Sequence, residues 1–67
     1  MNIKDAPQYL DMIREEVNVK RVCFVLGKDE NDVEIKLCYD GEFKFFVGES
    51  VRDISETLLE KILEKAL

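Results

Sequence analysis

The sequence predicts one small α+β domain over residues 1–67, built as a helix, a three-stranded antiparallel meander and a second helix (αβββα), with both helices on one face of the sheet. Three observations predict it. Apolar residues recur at three- and four-residue steps near both ends of the chain, they alternate with polar residues in the middle, and short turn-forming stretches divide that middle into strands. A chain of 67 residues lies near the lower end of what folds unaided, where folding removes only about 60% of the extended surface from water.

Asp5 is placed to cap the first helix, with Pro7 in its opening turn and Gln8 at the spacing of a capping box. Tyr9, Leu10, Ile13 and Val17 then form one apolar stripe, Asp11, Arg14 and Glu15 fall toward solvent, and Asn18 terminates the helix. Residues 19–26 are β-branched and aromatic, stop at Gly27 and predict a strand. Because it is apolar on both faces, the expected place is central, or under cover on each side. Residues 27–32 form a polar, exposed loop.

Val33, Ile35, Leu37 and Tyr39 alternate with Glu34, Lys36 and Cys38, and Phe43, Phe45 and Val47 alternate with Glu42, Lys44 and Phe46. Both runs predict half-buried strands. A two-residue turn at Asp40-Gly41 would oppose the apolar side chains of one strand to the polar ones of the other. A three-residue loop over 39–41, with Gly41 left-handed, instead pairs Leu37 with Phe43 and Ile35 with Phe45. Ser50, with Asp53 three residues on, opens the last helix, whose stripe is Val51, Ile54, Leu58, Ile62 and Leu63. Glu56, Glu60 and Glu64 line its outside, as a solvated face does.

The net charge of −5 removes the bulk basic footprint of an autonomous nucleic-acid binder, so any such contact is local or assisted. The longest apolar run covers only residues 22–26, and no charged start precedes an apolar leader. The expectation is a cytoplasmic protein with no membrane partner and reduced thiols. Cys23 and Cys38 lack the short spacing of a zinc site and are expected as packed thiols. The chain has no histidine, shows no grouping of nucleophile, base and orienting residue, and carries Gly27 and Gly48 in isolation. It is therefore read as non-catalytic on its own, with no metal and no cofactor.

Strand parity sends Lys36, Cys38, Lys44 and Phe46 to the side of the sheet opposite the helices, together with Arg21, Cys23 and Val25. That face joins cations, which neutralise phosphate, to a phenyl ring, which stacks on an unpaired base. Glu34 and Glu42 share it and dilute the field. The same face also fits a protein interface, with Phe46, Val25 and the cysteines as an apolar patch, or a homodimer through the face or an edge strand.

Tyr9-Leu10, followed by Ile13-Arg14-Glu15-Glu16-Val17-Asn18-Val19-Lys20-Arg21-Val22, resembles a segment of the tRNA-recognising C-terminal region of class I aminoacyl-tRNA synthetases, nearest to the isoleucyl type with its leucyl and valyl relatives. The likeness spans about residues 9–24. It implies a non-catalytic tRNA-binding appended domain, a fragment or detached relative of a tRNA ligase, in which a helix ending in an acidic pair leads directly into a strand. Lys20 and Arg21 are the residues of that segment which it implies touch RNA. Added to the sheet face, the candidate RNA-binding set is Lys20, Arg21, Lys36, Lys44 and Phe46. The order helix, three strands, helix is also that of double-stranded-RNA-binding domains. Those need a basic cluster at the start of the last helix, where this chain has Gly48-Glu49-Ser50-Val51-Arg52-Asp53.

Overall fold

A computed structural model describes residues 4–66. The chain runs α1 (Ala6–Val17), β1 (Val22–Lys28), β2 (Glu34–Tyr39), β3 (Phe43–Val47), β4 (Ser50–Arg52) and α2 (Glu56–Ala66). The class is α+β as the patterns predict, but the sheet has four antiparallel strands in the order β1-β2-β3-β4, one more than expected.

Helix α1 starts after Asp5, with Pro7 in its first turn, but the Asp5 side chain makes no capping bond. Its end follows the prediction. Asn18 adopts the left-handed conformation at φ 60°, and the Val19 amide donates to the Arg14 carbonyl at 3.0 Å. This is the six-to-one bond of a Schellman ending. Arg14 Nε then donates to the Lys20 carbonyl at 2.9 Å, so residues 18–21 form a tied connection and β1 begins at Val22 rather than at 19. The inward positions of α1 are Ala6 and Leu10, with Ile13 half-buried, whereas Tyr9 and Val17 of the expected stripe are exposed. Arg14 and Asp11 do not simply face water: Asp11 accepts from the Tyr39 hydroxyl and Arg14 lies over its ring in β2.

β1 is an edge strand and not a central one. Consecutive antiparallel hairpins put the first strand outermost. Its pairing with β2 runs from Val22 opposite Tyr39 to Lys28 opposite Glu34, with a bulge between Val25 and Gly27. Asp29 organises the loop to β2, its Oδ1 accepting from the Asn31 and Val33 amides at 2.9 and 3.0 Å.

In the β2–β3 hairpin, Leu37 opposes Phe45, Ile35 opposes Val47 and Tyr39 opposes Phe43. The register lies two residues from the expected one, which leaves every side chain on its predicted face. The three-residue loop is 40–42 instead of 39–41. Extending the ladder by one pair buries Tyr39 against Phe43, with ring centroids 4.8 Å apart, and Asp40 closes the turn by accepting from the Glu42 amide at 3.4 Å.

The largest departure lies at Ser50. It does not open a helix but begins β4, with Val47 opposite Ser50 and Phe46 opposite Val51. Gly48, at φ 62°, takes the first place of a two-residue hairpin loop, where a positive φ is required. Val51 thus leaves the helical stripe and becomes a strand residue. The helix is capped at Ser55, whose Oγ accepts from the Leu58 amide at 3.2 Å.

Ala6 of α1, Leu37 of β2 and Leu63 of α2 meet in the core, with Phe43, Phe45 and Ile62 packed around them. Both helices therefore lie on the same face of the sheet. The opposite face carries Lys36, Lys44 and Phe46.

Candidate nucleic-acid interface

Two cross-strand rows define the helix-free face. Val25, Lys36, Phe46 and Val51 stand side by side across the four strands, and Cys23, Cys38 and Lys44 form the row beside them. Arg21, preceding β1, reaches over this surface: its guanidinium carbon is 5.8 Å from the Phe46 ring centroid. Lys36 Nζ is 5.6 Å from the same centroid. Three of the five predicted residues are thereby gathered on one aromatic ring, and each cation gains from the ring's negative face.

Lys44 lies on the same face but turns toward the β2–β3 loop, with Nζ 3.2 Å from Asp40 Oδ2 and 3.9 Å from Glu42 Oε1. The hydrogen bond from Lys44 is the main cause holding the Asp40 carboxyl below its usual range. Its contribution to stability is present above the ordinary carboxylate pKa and is lost as the pH falls through the depressed one. Lys36 has a looser neighbour in Glu34 at 4.0 Å. These ion pairs are half-exposed to solvent, and pairs open to water hold their partners weakly. Lys20 stands apart in the connection between α1 and β1, bound through its carbonyl to Arg14.

Cys23 and Cys38 are not packed thiols. They are directly opposed in β1 and β2, with Cα atoms 4.1 Å apart, and are joined as a disulfide. Cys38 is buried beneath the face while Cys23 is exposed. The bond clips the edge strand to its neighbour through the surface that bears the cations.

Two further features escaped sequence reasoning. The first is the Tyr39 site on the inner face, where the hydroxyl donates to Asp11 Oδ2 at 3.2 Å and the Arg14 guanidinium carbon lies 5.7 Å from the ring centroid. Burial, then the bond to Asp11, raise the Tyr39 hydroxyl above its ordinary value. A raised pKa stabilises the fold fully below the unfolded tyrosine value of about 10, and this stability is lost as the pH rises through the folded one. Asp11→Asn should therefore move the tyrosinate absorbance change of Tyr39 to lower pH in an alkaline titration. An unmoved curve would deny the contact its role.

The second is an open groove of about 740 Å³ between β1 and α2, lined on one side by Val25 and Leu26 and on the other by Leu58, Ile62, Lys61 and Lys65. Its signal in the sequence is the apolar second face of β1, which reads like that of a central strand. Among the described residues, no group of three or more His, Cys, Asp or Glu could hold a metal, and no helix is long and apolar enough to cross a membrane. Compared with known protein families, curated proteins and solved structures, the chain matches none.

Proposed function

We propose that the chain is a non-catalytic RNA-binding domain that takes tRNA on its helix-free sheet face, in the manner of an appended domain of a class I aminoacyl-tRNA synthetase. The observation that carries this reading is the convergence of Arg21 and Lys36 on the ring of Phe46. Phosphates would take the cations, and an unpaired base would take the exposed part of the phenyl group. Lys44 adds a third charge once phosphate competes with Asp40 and Glu42, and Lys20 extends the footprint at the edge. The likeness of residues 9–24 to the synthetase segment supports the same partner. Catalysis would belong to other domains, and the compartment would be the cytoplasm, where tRNA is used and where the Cys23–Cys38 bond would stand exposed to reduction.

The test is an NMR titration of the isotopically labelled chain with unfractionated tRNA. Amides of Arg21, Lys36, Lys44 and Phe46 should shift together at low salt and return as salt is added. Three neutralised phosphates give a log–log salt slope of about −2. Lys36→Glu should remove the response. Silence at low salt, or shifts confined to other surfaces, would overturn the reading.

A protein partner on this face is the competing reading. It is favoured by the exposed Val25 and Val51 that flank Lys36 and Phe46 in one row. Under it, Phe46→Ser dissolves a complex that charge reversal spares.

A further inference from the structure

We propose that β1 is a dimerisation edge, through which two copies of the chain pair antiparallel about a two-fold axis near Val25. The edge shares Val25, Lys20 and Arg21 with the sheet face, but the inference does not rest on the RNA reading. β1 pairs with β2 on one side only, so the other side offers main-chain donors and acceptors to a further strand. The side chains beside that edge are apolar and uncovered: Val25 is 63% exposed, Leu26 42%, and Leu58 across the groove 44%. An edge of this kind stays soluble as a monomer only at a cost, and a second strand would cover it.

The ends of the strand select the occupant. Lys20 and Arg21 precede β1, while Asp29 and Glu30 follow it. Antiparallel pairing about Val25 brings Lys20 of one copy opposite Glu30 of the other and Arg21 opposite Asp29, twice over by symmetry. Parallel pairing would instead set like charges together. The terminal Lys28 blunts the edge against arbitrary strands, and the match in charge gives a second copy the advantage. Lys61 and Lys65 on the α2 wall of the groove also favour an acidic occupant.

Sedimentation equilibrium of the full chain, with the disulfide intact and over a range of concentrations, tests this. A reversible monomer–dimer equilibrium is expected. Val25→Glu, at a solvent-exposed position, should abolish the dimer by opposing two carboxylates at the axis. Lys20→Glu and Glu30→Lys should each weaken it about tenfold, since each reversal acts twice, and the double variant should recover it. That recovery keeps the proposal testable even where Val25→Glu perturbs folding. A monomer at all concentrations up to about 1 mM, or a dimer indifferent to both single reversals, would overturn it. So would a dimer that only Phe46→Ser dissolves, which would place the interface on the sheet face, or one removed only by a dithiol, which would make it an intermolecular disulfide.

Discussion

Reduction of the Cys23–Cys38 bond lowers the unfolding free energy by about 3 kcal/mol, the chain-entropy value for a loop of roughly this length. The bridged residues are 15 apart in sequence, and opening the bridge returns that loop's freedom to the unfolded chain while leaving every ladder pair of β1 and β2 in place. A domain of this size draws only roughly 3–5 kcal/mol from its core, so the reduced protein loses a large share of its stability. Thermal unfolding with and without a dithiol should differ by about 12–24 °C. The double variant Cys23→Ser, Cys38→Ala should behave like the reduced chain and ignore the reductant. Coincident melting curves for oxidised and reduced protein would show that the bridge constrains nothing the ladder does not already hold.

Leu37→Ala is expected to cost about 2–5 kcal/mol, enough to unfold most of the reduced chain and to weaken the disulfide-bonded one severely. Leu37 is fully buried where Ala6 of one helix and Leu63 of the other approach the same strand, with Phe43 and Phe45 closing around them. Those neighbours come from three elements, two helices and β3, each held by its own backbone hydrogen bonds, so they cannot all move inward to fill the space. Val25→Ala, on a side chain already mostly in water, should change stability by no more than about 0.5 kcal/mol. Urea unfolding of the two variants against the parent decides the matter. A Leu37→Ala protein as stable as Val25→Ala would mean that the core does not run through β2.

The difference between these two sites also marks what could be read from the sequence. The faces of β2 and β3 were legible because alternation has period two, and a register error of two residues leaves Leu37, Phe45, Lys36 and Phe46 on the correct sides. The register itself was not legible. It depends on Tyr39 packing against Phe43 and on Asp40 bonding the Glu42 amide, contacts that exist only after the hairpin closes. The Arg21, Lys36 and Phe46 cluster followed from parity alone.

The strand β4 was hidden because Ser50 and Asp53 imitate a helix start. The two-residue Gly48-Glu49 loop, which sets Val51 beside Phe46, is the competing signal, and Ser55 supplies the cap. The disulfide was hidden for a similar reason: its two cysteines are opposed only because the Asp29-centred loop fixes how β1 returns along β2. The edge position of β1 was obscured by its two apolar faces, since an edge strand with an uncovered apolar face reads like a strand buried within its own chain.

The strand order carries a consequence for the speed of folding. Each of the three ladders joins strands adjacent in the chain, so the sheet can zip from one hairpin to the next with short loop closures, which cost little entropy. The meeting of Ala6 with Leu63 is different, since almost the whole chain separates them. The helices thus dock across the widest sequence separation in the core, and a sheet formed ahead of them would present Leu37, Phe43 and Phe45 to water until they arrive. Newly made protein is most exposed to aggregation in that interval, and the loop sequences alone give no hint of it.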